Sequence, residues 1–246
     1  MSDILINILN KTYPAIEQAR SHTAIADLNL TLKSGEFICL VGPSGCGKTT
    51  LLNIIADLDN EYQGSIGLSD QSARPKIGYI FQNPRLLPWR TVRENIELVI
   101  DNPSSTYIID NLLEAMQLTA SQHVYPERLS LGMSRRTSIT RAFAIVPDLL
   151  LMDEPFVSLD APTARQVRAL LLSLWQQRPH TVLFVTHDLR EAITLADRLI
   201  FLSDSPMTVI SEIMVPIPRS ERHDETAIET FRQQLLNDYP TIKQLL

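Results

Sequence analysis

The sequence predicts an α/β fold with a mainly parallel sheet, an N-terminal antiparallel β subdomain and an α-helical insertion at about residues 84–146. Segments 149–152 and 181–185 are apolar on both faces, which is typical of parallel strands covered by helices. Segments 4–9 and 25–32 alternate or cluster apolar residues, as half-buried antiparallel strands do. The 246 residues, 44% hydrophobic and 20% charged, suffice for one large domain or a domain with a small subdomain.

Local patterns predict the other elements in order. Further strands are expected at 37–41, 77–81 and 199–202, with a loop and a short strand within 59–76. Thr91 with Glu94 three residues later forms a capping-box pattern, which predicts the start of a helix. The other helices are expected at 48–58, 103–118, 134–146, 163–177 and 189–196. The tail at 219–246 is polar and then amphipathic, and one face of its predicted helix carries Ile228, Phe231, Leu235 and Leu236.

The clearest motif fits G-x-x-x-x-G-K-[ST] and lies between the apolar run 37–41 and the helix that begins at 48. In this context the glycines let backbone N–H groups point at phosphate oxygens, and the helix adds its positive end. Lys48 can reach the β/γ-phosphates and the Thr49 hydroxyl can bind Mg²⁺. A chance glycine-rich turn is the alternative, but the flanking strand and helix argue against it. The pattern predicts a P-loop NTPase core with these nucleotide-binding residues: Gly42, Pro43, Ser44, Gly45, Cys46, Gly47, Lys48, Thr49 and Thr50.

Two adjacent acids follow the apolar run 149–152. Carboxylates at the carboxyl ends of parallel strands lie at the edge where such sheets bind ligands. Asp153 is expected to hold Mg²⁺, and Glu154 to orient or deprotonate an attacking water. The alternative is a strand that ends in a solvated acidic turn. Strand alternation points the two side chains in different directions, which favours two separate roles.

Composition limits the partners. The net charge of −6 argues against nucleic acid as a partner. Cys39 and Cys46 have the spacing of neither a zinc site nor a CxxC motif, so a reduced cytosolic setting is expected. No apolar stretch is long enough to span a membrane, and the start of the chain does not resemble a signal peptide, so any membrane role should be peripheral.

From about residue 5 to 218 the chain resembles the ATPase subunit of an ABC transporter. Leu129–Arg136 is similar to the signature motif of that family. The resemblance implies a single ATPase domain over 1–240 with ATP and Mg²⁺ as cofactors. The helical tail predicted above, at 219–246, overlaps the end of this domain. In a homodimer, Ser130 and Gly132 of one subunit would close over ATP bound to the other. At two neighbouring positions, Leu131 and Met133, the family more often has glycine and glutamine.

Other positions match the family in the expected order. Gln82 resembles the Q-loop glutamine, a ligand of Mg²⁺ or water, and Asp160 resembles the D-loop aspartate at the dimer interface. His187 resembles the switch histidine that contacts the γ-phosphate. Tyr13 is the candidate for stacking on adenine, with a solvated loop tyrosine as the alternative. The resemblance thus implies two sets: Lys48, Gln82, Glu154 and His187 as catalytic residues, and Thr49, Gln82 and Asp153 as metal ligands.

Residues 82–92 are similar to the importers of nitrate, aliphatic sulfonates and taurine. The resemblance implies peripheral attachment at the cytoplasmic face of the inner membrane, and indirect work with a periplasmic or extracellular solute-binding protein. The Leu86–Trp89 region would bind a transmembrane permease subunit, unless Leu86 and Trp89 pack inward. A soluble ABC-type ATPase uncoupled from transport is the alternative function. Cys46 beside the phosphates also predicts inhibition by thiol reagents, with ATP protecting.

Overall fold

The computed structural model describes four ranges of the chain, which are 2–15, 21–70, 75–100 and 106–245. It forms two compact units. Unit 1 consists of residues 1–74 and 181–246, and unit 2 of residues 75–180. Unit 1 is therefore built from two separated pieces of chain, whereas unit 2 is one continuous piece. The predicted helix start at 103–104 lies outside the described residues.

The strands are β1 (Ile4–Tyr13), β2 (His22–Leu32), β3 (Phe37–Val41), β4 (Gln63–Leu68), β5 (Ile77–Ile80), β6 (Leu149–Asp153), β7 (Thr181–Val185), β8 (Arg198–Leu202) and β9 (Val209–Met214). The helices are α1 (Lys48–Ile55), α2 (Val92–Glu97), α3 (Thr106–Ala115), α4 (Leu131–Ala144), α5 (Ala161–Gln177), α6 (Leu189–Leu195), α7 (Glu225–Asp238) and α8 (Pro240–Leu245).

Unit 1 contains the predicted antiparallel layer, with strand order β2-β1-β4. β1 pairs with β2 in a register that places Ile6 opposite Leu30. Ile4, Ile6 and Ile8 are buried while Leu5 is exposed, as the alternation of side chains across a strand requires. The antiparallel pairing predicted for the N-terminal strands is confirmed.

The second sheet of unit 1 has β3 at its centre, with β7 and β8 as parallel neighbours. All three strands are buried along their whole length, which explains why they are apolar on both faces apart from their first residues Thr181 and Arg198. β9 pairs antiparallel with β8 and was not predicted. Its side chains are alternately half-buried and exposed.

Unit 2 combines the parallel pair β5 and β6 with helices α2 to α5. The capping box at Thr91 is confirmed. α4 begins earlier than predicted because Ser130 caps it, its Oγ accepting a hydrogen bond from the N–H of Met133 at 3.2 Å. α3 ends at Ala115, before the predicted 118. Gln117 takes a left-handed conformation (φ 55°), which the helix cannot accommodate.

The C-terminal tail packs within unit 1, where α7 lies against α6. The face predicted from its apolar spacing is the face turned inward. Ile228 and Leu235 are buried, and Phe231 and Leu236 are half-buried. Packing of this face is what makes so polar a helix stable.

Candidate nucleotide-binding and catalytic site

The P-loop connects β3 to α1 in unit 1. Gly45 and Gly47 have φ angles of 80° and 114°, which side chains other than glycine adopt at a cost. Gly42 is favoured for a different reason, because a Cβ there would make a tight contact of 3.1 Å with Leu202. The motif is therefore fixed both by backbone conformation and by close packing against the end of β8.

Lys48 places its charge inside this loop. The side chain is buried, and Nζ donates hydrogen bonds to the carbonyl oxygens of Gly42 at 2.8 Å and Pro43 at 2.7 Å. Gly47, at the N-cap of α1, offers no side chain to the first N–H groups of the helix. These N–H groups and the ammonium form an arrangement suited to phosphate oxygens. Ser44 and Thr49 are exposed at the same loop.

Cys46 requires a correction. Its side chain is fully buried, and a Cβ built on Gly42 would lie 3.3 Å from its sulfur. Burial raises the pKa of the Cys46 thiol, although the neighbouring Lys48 ammonium works in the opposite direction. The thiol is thus an inert packing group and not the reactive group expected beside the phosphates.

Tyr13 lies at the end of β1, beside α1. Its hydroxyl is 3.1 Å from Oγ1 of Thr50, and the side chain is 40% exposed. The Nζ of Lys11 lies 4.6 Å from the centre of the ring, where it is held by Asp59 at 2.7 Å. The ring is therefore positioned by a cation and a hydrogen bond, unlike a freely solvated loop tyrosine.

His187 follows β7 and is exposed in unit 1. β3 and β7 are parallel, with Leu40 opposite Val185. Since the P-loop and His187 leave these two strands at their carboxyl ends, both emerge at one edge of the sheet. Open α/β sheets bind ligands at this edge.

In unit 2, two parallel strands likewise carry candidate site residues at their carboxyl ends, among them the acids Asp153 and Glu154. β5 and β6 are parallel, with Ile80 opposite Met152, and Gln82 and Glu154 each follow their strand. Nε2 of Gln82 donates a hydrogen bond to Oε2 of Glu154 at 3.3 Å. Asp153, the last residue of β6, is 5% exposed. Glu154 has φ 44°, an unfavourable value for a residue with a side chain and one that is concentrated at functional sites.

The predicted signature and D-loop residues cap neighbouring helices in unit 2. Asp160 caps α5 by accepting hydrogen bonds from Thr163, at 3.0 Å from N and 2.7 Å from Oγ1. A Cβ on Gly132 would lie 2.7 Å from Cγ2 of Thr163. The starts of α4 and α5 therefore touch at a point where only glycine fits. Leu131 is 44% exposed beside Ser130.

Arg135 is a functional candidate that the sequence motifs do not predict. It is 1% exposed and donates to the carbonyl oxygens of Phe81 at 2.9 Å and Gln82 at 2.7 Å. Burial lowers the pKa of this guanidinium. Arg135 thus ties α4, the helix that starts at the signature motif, to the backbone of Gln82. Only the double arginine at 135–136 marks it in the sequence.

Asn95 was also missed. It is fully buried on α2, and its Nδ2 lies within hydrogen-bond distance of the carbonyl oxygens of Leu87 (3.2 Å), Arg90 (2.9 Å) and Thr91 (2.9 Å), which share its two protons. Its Oδ1 accepts from the N–H of Leu87 at 2.8 Å. One side chain therefore holds the 87–91 turn. A lone asparagine inside a helix was the only signal.

That turn presents Trp89 at the surface, with the side chain 68% exposed. Leu86 and Leu87 are half-buried. Arg141 fixes the preceding segment by donating to the carbonyl oxygens of Pro84 at 2.9 Å and Arg85 at 3.0 Å. The alternative in which Trp89 packs inward is excluded.

The predicted metal ligands Thr49, Gln82 and Asp153 all offer oxygen donors, the donor type that Mg²⁺ prefers. Among the described residues no group of three or more His, Cys, Asp or Glu side chains could hold a metal ion. Mg²⁺ fits this donor set, because in nucleotide sites it uses one or two carboxylates and takes its other ligands from phosphates and water. No described helix has the length and apolar character needed to cross a membrane.

Comparison with known proteins identifies the family. A family model described as "ABC transporter" matches residues 25–157, more than half of the chain. The aliphatic sulfonates import ATP-binding protein SsuB of Bacillus licheniformis is 39% identical over 89% of this chain and 88% of its own length. The nitrate import ATP-binding protein NrtD of Synechococcus elongatus is 38% identical, over 90% and 84%. The bicarbonate transport ATP-binding protein CmpD of Synechocystis sp. is 37% identical, over 95% and 86%.

Solved structures agree. The dimeric structure of a bacterial ABC transporter cassette has a TM-score of 0.74 and 31% identity, over 87% of this chain and all of that one. A post-hydrolysis state with ADP and Pi has a TM-score of 0.75 and 30% identity, with the same coverage. The resemblance predicted from the signature motif and its neighbouring positions is confirmed, and the fold class with it. The chain belongs to the ABC transporter family.

Proposed function

We propose that this chain is the ATP-binding and ATP-hydrolysing subunit of an importer that takes up a small anionic solute. The observation that carries the proposal is the identity of 37–39% over most of the chain with ATP-binding proteins for sulfonate import, nitrate import and bicarbonate transport. All three of these solutes are small anions. The buried ammonium of Lys48 inside the P-loop supplies the chemistry that ATP binding requires.

In this proposal the P-loop N–H groups and Lys48 bind the phosphates, and Tyr13 stacks on adenine. Thr49 and Asp153 hold Mg²⁺, with Gln82 as a further ligand. Bound Mg²⁺ neutralises charge that develops on the phosphates. Positioning and electrostatics then carry most of the catalysis.

Glu154 is the proposed base, which orients the attacking water and accepts its proton. Its carboxylate receives the hydrogen bond from Gln82, and Gln82 is fixed in turn by Arg135 through its backbone. Such contacts help to position the base, which matters because small misplacements cost large factors in rate. His187 contacts the γ-phosphate.

The proposed active form is a homodimer in which Ser130 and Gly132 of one subunit close over the ATP of the other, with Asp160 at the interface. Support comes from the dimeric state named for the solved cassette and from the start of α4, which offers helix N–H groups to an anion. We assign one ATPase domain to 1–240, with the helical subdomain at about 84–146 and the tail at 219–246.

The Leu86–Trp89 region is the proposed contact with a transmembrane permease. Trp89 is the large apolar side chain of this region that is most exposed, and exposed aromatic side chains are frequent anchors of interfaces. The subunit would sit peripherally at the cytoplasmic face of the membrane, and the solute-binding protein would act through the permease. Co-purification tests this proposal. We expect a polytopic membrane protein with the wild-type chain and much less with Trp89→Ala, whereas its absence in mild detergent would favour a soluble ATPase.

The catalytic proposal is tested with Glu154→Gln. ATP binding and ATP-dependent dimerisation should persist, because the P-loop is intact, while turnover falls about 100-fold or more. Glu114→Gln is the matched control, since Glu114 is exposed on α3, and it should keep wild-type turnover. Undiminished turnover in Glu154→Gln would rule out Glu154 as the base.

A further inference from the structure

One buried hydroxyl, that of Thr186, stabilises the turn that carries His187. Oγ1 of Thr186 donates a hydrogen bond to Oε2 of Glu191 at 2.7 Å. The same oxygen accepts a hydrogen bond from the N–H of Asp188 at 3.1 Å. Both chain neighbours of His187 are therefore tied to one atom, and that atom is tied to α6. Thr186 is 2% exposed and Glu191 is 7% exposed, so water competes little for these bonds.

The helix that carries Glu191 depends on other parts of unit 1. α6 has seven residues, too few for a helix that is stable alone. Asp188 caps its start, with Oδ1 accepting from the N–H of Arg190 at 2.9 Å. The position of Glu191 is therefore set by whatever packs on α6.

The C-terminal tail provides that support. Arg222 is 8% exposed, and its Nη1 donates to the carbonyl oxygen of Ala196 at 2.8 Å, at the end of α6. A guanidinium is well placed there, because helix carboxyl ends carry partial negative charge. Arg190 on α6 also pairs with Glu229 on α7 at 2.7 Å. The tail thus contacts both ends of a helix that bears directly on the His187 turn.

We propose that Thr186 and Glu191 are positioning residues for His187, and that the C-terminal tail, through Arg222, anchors the helix on which they depend. The inference rests on the proposed role of His187 in hydrolysis. Neither Thr186 nor Glu191 touches the substrate in this proposal. They act by holding the histidine at the edge of the sheet, where the P-loop also emerges.

The first experiment removes the hydroxyl. Thr186→Val should lower kcat about tenfold or more, because a displaced catalytic group costs large factors in rate. The Kd for ATP should stay within about twofold, since the P-loop binds the phosphates. Thr186→Ser restores the hydroxyl and should restore kcat. The matched control is Thr194→Val on α6, whose exposed hydroxyl donates to the carbonyl oxygen of Arg190 one turn earlier in the same helix, at 2.8 Å.

A double-mutant cycle separates positioning from general damage. In a His187→Ala background, Thr186→Val should cause no further loss of kcat, since the residue it positions is gone. The same loss in both backgrounds would overturn the inference, as would wild-type kcat in Thr186→Val. If His187→Ala itself keeps wild-type turnover, the proposed role of His187 fails and the inference fails with it. If His187→Ala lowers kcat but Thr186→Val does not, the proposed function stands and only the inference is overturned.

The tail is tested with Arg222→Ala and Arg222→Lys. The alanine variant should lower kcat and leave the Kd for ATP unchanged, and lysine should recover part of the loss by donating to the same carbonyl. A urea transition measured for each variant shows whether it is folded under assay conditions. If Arg222→Ala does not fold, Arg222→Lys decides alone. Wild-type kcat in the folded alanine variant, or failing that in the lysine variant, would overturn the role of the tail.

Discussion

Replacing Asn95 with alanine should destabilise unit 2 by an amount that can be estimated from its contacts. The variant loses the hydrogen bonds to three carbonyl oxygens and leaves the N–H of Leu87 without its acceptor. The two amide protons and Oδ1 make three full hydrogen bonds at about 1 kcal/mol each. The N–H of Leu87, left unpaired, costs about 1 kcal/mol more, so the loss is about 4 kcal/mol. Domains are commonly stable by only about 5–15 kcal/mol, so this is a large fraction.

Fluorescence provides the assay, because both tryptophans, Trp89 and Trp175, lie in unit 2. Trp175 is 6% exposed and donates from Nε1 to the carbonyl oxygen of His180 at 2.7 Å, so its emission should report the opening of this unit. Urea titration of Asn95→Ala should move the midpoint down strongly at an unchanged slope. Asn7→Ala is the control, since the Asn7 side chain donates an exposed hydrogen bond to Asn29.

Asn95→Asp sharpens the test at almost constant volume. The carboxylate can still accept from Leu87 but brings negative charge toward three carbonyl oxygens. We expect it to be at least as destabilising as alanine at neutral pH, and to recover in acid because the protonated form can donate again. A loss below about 1 kcal/mol in Asn95→Ala would refute the assignment of Asn95 as the residue that holds the turn.

Three further predictions concern packing, pH and thiols. Gly132→Ala should destabilise unit 2 by about 1–3 kcal/mol, because the added Cβ would contact Cγ2 of Thr163. Adding Thr163→Ser removes that methyl group and should restore the urea midpoint. A midpoint that does not recover would contradict the contact. Burial lowers the pKa of His180, so the folded state binds fewer protons than the unfolded state. The free energy of unfolding should therefore fall as pH drops below about 6.5. If the urea midpoint of a His180→Phe variant depended on pH as the wild type does, this prediction would be wrong. Cys39 and Cys46 are buried, so a chromogenic disulfide reagent should label neither thiol before the protein unfolds. Fast labelling of Cys46 that ATP prevents would show that this thiol is reactive and lies beside the phosphates.

The parts of the fold that the sequence predicts are those with a local physical cause. The P-loop lies between a strand that is apolar on both faces and a helix, and each has its own pattern. The capping box at Thr91 is likewise local, since both of its hydrogen bonds join residues three apart. β9 escaped prediction because its side chains are only half-buried at most, which leaves a weak pattern. α4 starts earlier than its sequence pattern predicts, because its first turn contains Gly132, a residue that suggests a loop.

The candidate site also contains residues that a local sequence pattern predicts and residues that it does not. Lys48, Asp153 and Glu154 are recognisable because their residue types follow predicted strands. Asn95 and Arg135 work through backbone carbonyls that are distant in sequence or set by a turn, as with Arg135 and Phe81. No local pattern encodes such a contact. The burial of Cys46 was unpredictable for a related reason, since it depends on how the P-loop folds over its own side chain.

The order in which the chain is synthesised has a consequence for β3. This strand is made early, yet both of its neighbours, β7 and β8, come from the chain beyond residue 180. Until β7 has left the ribosome, β3 has two unpaired edges, and one of them stays unpaired until β8 follows. Unpaired apolar edges invite aggregation. Nascent chains that end before residue 202 should therefore need chaperones, and ATP binding should be acquired only late in translation.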